Sequence, residues 1–296
     1  MNKILSLAAL VLISTGSLAE ETNHDQKEYI DNGVVRLGVD LSSGASVFYF
    51  AETDTQRNLL NHFDRGRFVQ QSYYGDKDGS VWVWPKEPKE WRWNPVQGGD
   101  YKGAPAILLD FKSTATTLYS KSTPKHWASG EDITDAVMEQ WISLNGPVAH
   151  IKYRFTYSGK HNHKARSQEM PAVFVDYALP NLVTYRGEKP WQNDALHRSV
   201  PGWPNEKYET TEHWSAYVDE QDWGIGLYTP GTSKNTSYRY KGDETAGPTG
   251  SATSYFSPIR KLAIRSGTVV EYDVYMAIGS VTDIRQRFYE IRSRPE

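Results

Sequence analysis

The sequence contains no cysteine, which excludes disulfide bonds, thiol nucleophiles and thiolate-bound metal. Beyond its first segment it has no apolar run approaching the ~18 residues of a membrane helix. It lacks Gly-x-Ser-x-Gly, a P-loop, His-Glu-x-x-His and a dinucleotide fingerprint. Neither sign of charge dominates, with 33 basic and 36 acidic side chains giving a formal charge of −3 over 296 residues. That balance supplies no field to hold nucleic acid or an anionic membrane, so neither is expected as a partner. No cofactor and no metal is expected either. A chain of this length can bury a full core without disulfide support.

Aromatic residues are what the sequence has in quantity: 10 Trp, 19 Tyr and 9 Phe. Before them comes an export pattern. Residues 1–19 carry a charged start at Lys3, an apolar run over 4–13 broken only by Ser6, and the small-residue pattern Ser17-Leu18-Ala19. This predicts a cleavable signal peptide and a periplasmic or extracellular protein. Residues 20–296 show no repeat and no long linker, and read as one domain.

That domain reads as short strands between turns. Residues 34–41 alternate, Ser42-Ser43-Gly44 turns, and 45–50 continue as apolar and aromatic, a hairpin signature. Segments 137–144 and 148–157 flank Asn145-Gly146, a strong hairpin turn. Further strands are expected over 68–74, 107–111, 172–177, 215–218, 224–228, 238–240 and 269–278. The fold class is therefore all-β, an antiparallel β-sandwich. One helix is expected at the end, capped by Ser280 with Asp283 and carrying Ile284, Phe288 and Ile291 at helical spacing.

Several segments could carry chemistry. Trp82, Trp84, Trp91 and Trp93 flank a polar, proline-broken stretch that should lie on the surface. Exposed indoles among polar groups suit stacking on sugar rings; the alternative is that some cap the core. In the strand at 68–74, Arg67, Gln71 and Tyr73 share one face, and polar side chains fall on both faces. A polar inward face must be paired or must line a cleft. An Asp64–Arg67 or Asp64–Arg65 ion pair is the alternative role for that arginine. Asn94 opens a glycine-rich turn that could serve the same neighbourhood. Glu169 precedes one strand, and Glu212-His213 precedes another, positions where scaffolds hold catalytic groups. Two acids in unlike environments can divide acid and base roles, and a histidine adds a proton carrier at neutral pH. His161-Asn162-His163 has strand spacing for two metal ligands but no third ligand in sequence, and reads as a basic hairpin tip. Asp76-Lys77-Asp78-Gly79 lacks the spacing of a calcium loop.

The segment Asn32-Gly33-Val34-Val35-Arg36-Leu37-Gly38-Val39-Asp40 resembles the first strands of galactose mutarotase-like β-supersandwich domains. Trp223-Gly224-Ile225-Gly226-Leu227-Tyr228-Thr229-Pro230 and the strand at 269–278 are similar in kind. The resemblance implies a sandwich binding sugar on one concave sheet, as in aldose epimerases, polysaccharide lyases and glycoside hydrolases. Together these readings lead to an exported enzyme acting on a poly- or oligosaccharide, either a glycoside hydrolase or a polysaccharide lyase. Glu169, Glu212, His213 and Tyr73 are its expected catalytic residues; Arg67, Gln71, Trp82, Trp84, Trp91, Trp93 and Asn94 its expected binding residues. The alternative is a carbohydrate-binding protein without catalysis.

Overall fold

In a computed structural model the described residues are 27–83 and 86–293. They form two large antiparallel sheets, of seven and nine strands, with a three-stranded N-terminal sheet and a small two-stranded hairpin. Across the nine-stranded sheet the order is His197–Ser199, Asn181–Thr184, Trp214–Val218, Trp223–Tyr228, Thr268–Ser280, Val148–Tyr157, Ala136–Asn145, Thr117–Thr123, Ile107–Ser113. The seven-stranded sheet runs Lys125–His126, Pro95–Val96, Gln70–Ser72, His163–Asp176, Thr253–Ile264, Lys234–Tyr240, Glu206–Glu209. The all-β sandwich expected from the sequence is the observed architecture. The Asn145-Gly146 turn joins Ala136–Asn145 to Val148–Tyr157 in a hairpin paired along its full length.

One continuous apolar cluster lies between the sheets, with Phe50, Tyr73, Phe155, Val173, Tyr217 and Phe256 each fully buried. Full burial of one such side chain stabilises the fold by about 1.5–3 kcal/mol. The interior is not purely apolar. Gln71, Gln140 and Gln168 are completely buried, and each donates to a backbone carbonyl, of Glu139, Ala45 and Tyr74 respectively. The polar inward face in the segment at 68–74 therefore exists, and it is paired internally.

The helix Val281–Arg292 forms where expected. The Ser280 hydroxyl accepts the Asp283 amide at 3.2 Å and donates to the Asp283 carboxylate at 2.6 Å. The helix buries Ile284 and Phe288 against the outer side of the nine-stranded sheet, in a second apolar cluster with Trp214 and Tyr228. Gly226 permits this close approach, since a Cβ there would lie 2.4 Å from Ile284 Cγ2. Among the described residues, no helix is long and apolar enough to cross a membrane.

Candidate functional site

Glu169 lies on the strand His163–Asp176, where pairing slips on both flanks immediately after it. Such bulges re-aim side chains. Gln168 and Met170 on either side are fully buried, so Glu169 faces the other way, off the outer side of the seven-stranded sheet. The Tyr74 hydroxyl donates to Glu169 Oε2 at 2.8 Å. Gln168 fixes Tyr74 in that position by accepting its amide at 2.6 Å and donating to its carbonyl at 3.1 Å. Ser72 is the cross-strand neighbour of Glu169.

Burial raises the Glu169 pKa above the usual carboxylate range, and the hydroxyls of Tyr255, Tyr74 and Ser72 only partly offset that rise. No ion pair forms at this carboxylate among the described residues. Tyr255 is 2% exposed, and its hydroxyl faces Glu169 without a hydrogen bond of good geometry to any group. A buried hydroxyl left this way usually has a function or a missing partner.

Aromatic rings extend from this acid in two directions. On one side Tyr74 meets Trp91 at 6.4 Å, and Trp91 meets Trp82 at 5.6 Å and Trp127 at 5.1 Å. Tyr101 closes that group, 5.2 Å from Trp127. On the other side Tyr255 stacks on Tyr238 at 4.5 Å, and Trp203 stands 4.8 Å from Tyr238 and 5.1 Å from Tyr240. Trp203 is 54% exposed. Arg67 borders this second group. Its guanidinium lies over Phe63 and Tyr240, donates to the Ser251 carbonyl at 2.7 Å, and pairs with Asp64 at 3.4 Å.

The remaining expected site residues lie elsewhere. Tyr73 points into the core, stacked on Phe155 at 4.1 Å and donating to Gln71 at 3.0 Å. The expectation that Tyr73 and Gln71 would meet a ligand fails because both face the opposite sheet. Trp93 stacks on His163 at 4.2 Å and packs against the core cluster. Asn94 is buried, donates to the Tyr73 carbonyl at 2.7 Å and accepts the Trp91 indole N–H at 3.1 Å, so it braces the site from beneath. Trp84 lies outside the described residues.

Glu212 is fully buried under the helix. Arg285 grips it through two hydrogen bonds of 3.0 and 2.7 Å, joined by the Trp191 amide, the Trp214 indole and the Tyr289 hydroxyl. Burial pushes its pKa up, but these donors outweigh that and hold it below the usual range. His213 occupies a left-handed turn, φ 57°, and accepts the Gly231 amide at 3.2 Å. Neither residue contacts Glu169; the helix that covers Glu212 packs on the other sheet. The expected convergence of Glu169, Glu212 and His213 does not occur.

His161 and His163 do acquire a third neighbour, Asp76, with ligand-type atoms all within 4.8 Å. That carboxylate is already committed to Arg166 at 2.8 Å and to the Lys164 amide, while the Asp76 amide occupies His163 Nδ1. The carboxylate and His163 Nδ1 are thus taken up within the protein, while His163 Nε2 is buried without a hydrogen-bond partner.

No family model matches the sequence, and no curated protein matches it. Solved structures do. A galactose mutarotase-like protein from Lactobacillus casei superposes with a TM-score of 0.56 at 8% identity, over 86% of this chain and 100% of its own. A galactose mutarotase related enzyme from Lactobacillus acidophilus gives 0.55 at 8% identity, over 88% and 99%. A candidate aldose 1-epimerase from Escherichia coli gives 0.55 at 10% identity, over 86% and 99%. This is the galactose mutarotase-like fold.

Two grooves open on this mutarotase-like sandwich away from Glu169, one beside the helix at Val148 and Arg287, the other at Tyr119, Trp141 and His150. Neither contains a buried carboxylate, so the Glu169 cluster carries more chemistry. Tyr74, Tyr255, Tyr238, Trp127 and Trp203 are not among the residues expected from the sequence. Strand alternation places Tyr74 on the face opposite Tyr73. Tyr255 and Trp203 sit in segments with no local signal.

Proposed function

We propose that the protein is a carbohydrate-active enzyme acting on a poly- or oligosaccharide, with Glu169 as its proton-transfer residue. The observation that carries this reading is one carboxyl group, held above its usual pKa and surrounded by hydroxyls, at the centre of a partly exposed row of aromatic rings. Aromatic faces bind the apolar face of sugar rings. A carboxyl whose pKa is raised by burial is suited to protonate a leaving glycosidic oxygen as a general acid. The buried Tyr255 hydroxyl is placed to bond a substrate hydroxyl there. The fold agrees, since two neighbours carry galactose mutarotase in their names.

For hydrolysis a second carboxylate must flank the bond. Asp64, which borders the same rings through its pair with Arg67, is the candidate. For β-elimination on a uronic acid, Arg67 would neutralise the sugar carboxylate and Glu169 would take the proton, held by the Tyr74 hydroxyl. We place the site of action outside the cytoplasm on the signal-like residues 1–19; a secreted protein beginning at Glu20 supports this, and one retaining Met1 speaks against it.

The test is a screen of laminarin, xylan, mannan, alginate and pectin, reading reducing ends and unsaturated uronate. Wild type should release product from at least one, and Glu169→Gln should lower that rate about 10²–10⁴-fold. Wild-type turnover by Glu169→Gln would remove the residue from the reaction. Retardation in polysaccharide gels without any product would leave a binding protein.

A further inference from the structure

We infer that the site binds a linear saccharide on both sides of Glu169 and cleaves it within the chain, an inference that rests on the function proposed above. The reason is the position of the acid along the aromatic row. Glu169 is not at an end of it. Contacts lead outward from the carboxyl through Tyr74 and Trp91 to Trp82, Trp127 and Tyr101. On the other flank the adjacent strand Thr253–Ile264 carries Tyr255, which stacks on Tyr238, and Tyr238 leads to Trp203.

Strand order sets the scale. The strand bearing Tyr238 is second from that of Glu169, which separates them by about 9–10 Å at the usual strand spacing. Trp203 stands a further 4.8 Å from Tyr238. The opposite arm spans 6.4 Å from Tyr74 to Trp91 and 5.6 Å more to Trp82. Each arm is therefore wider than one sugar ring, and a monosaccharide would leave most of both uncovered. Exposure supports the same conclusion. Trp203 and Phe63 are 54% and 50% exposed; Trp203 packs on Tyr240 and Phe63 lies under the Arg67 guanidinium, which also covers Tyr240. Rings left this open suit a long ligand lying across the strands. Trp203 enters as a binding residue that nothing in the sequence marked.

The polymer turned over in the screen is followed by viscosity and by reducing ends together. Cleavage within the chain drops the viscosity while few ends have appeared; release of only mono- or disaccharide at nearly constant viscosity overturns the inference. An end-labelled hexasaccharide of the same polymer locates the arms. Trp203→Ala and Trp82→Ala should each lower kcat/KM on it about tenfold and displace the cut in opposite directions. Trp82→Tyr should restore the wild-type pattern, separating a lost ring from a damaged fold. Unchanged cutting in both alanine variants overturns the inference. Because Glu169→Gln is assayed in parallel, its activity would indict the proposed reaction, whereas its inactivity with terminal cutting would indict only the two-sided site.

Discussion

Glu169, half-buried, and Glu212, fully buried, both lie at places where the sequence suggested catalysis, and the fold uses them in opposite ways. Glu212 meets a guanidinium squarely, along with an amide, an indole and a phenol. Burial raises its pKa less than these donors lower it. It ties the helix to the nine-stranded sheet, and its acceptor positions are all taken, with none left for a substrate. Glu169 meets hydroxyls only, and for it the burial effect wins. A carboxylate with a matched cation is a lock; one with neutral donors, facing partly open rings, can exchange a proton.

The contrast can be broken in several ways. The largest expected effect is on the stability of Glu212→Gln, which leaves the 6%-exposed Arg285 without its counter-charge. Removing one partner of a buried pair destabilises by about 3–5 kcal/mol, measured by denaturant unfolding. Glu169→Gln should instead melt at or above the wild-type temperature at neutral pH while losing turnover.

The pH dependences should differ in sign. Glu212 has a lowered pKa in the fold, so its contribution is present above the ordinary glutamate value and is lost as pH falls through the lowered one. Glu169 has a raised pKa, so its stability contribution is fully present below the ordinary value and is lost as pH rises through the raised one. Unfolding series from acid to neutral pH in the two glutamine variants should each lose one of these slopes. If Glu169 acts as the acid, the rate falls with rising pH through the same raised value. Tyr74→Phe removes a donor to its charged form and should move that limb to higher pH; an unmoved limb would detach Tyr74 from Glu169. The smallest effect is at the end of the Glu212 lock, where Ser280→Ala should cost about 1 kcal/mol through the lost helix cap and leave turnover intact.

The fold was legible because it depends on local signals: alternation, the Asn145-Gly146 turn and the Ser280 cap. The site was half legible for a physical reason. Alternation shows which residues share a face and not which face points inward. The set with Gln71 and Tyr73 turned out to be internal, since glutamine can satisfy itself on backbone carbonyls, and Tyr74 went outward. Glu212 looked equivalent to Glu169 because its partner Arg285 lies 73 residues away. The aromatic row is likewise assembled from strands distant in sequence, so only pairing brings Trp91, Tyr238 and Trp203 beside one carboxyl.

The most direct measurement is a crystal structure of Glu169→Gln soaked with an oligosaccharide from the polymer that wild type degrades. The expected result is a sugar ring over residue 169 within hydrogen-bond reach of the Tyr74 and Tyr255 hydroxyls, flanked by Trp91 and Tyr238. The contrary result is a saccharide seated in the Tyr119–Trp141 groove of the other sheet with the rings around residue 169 bare.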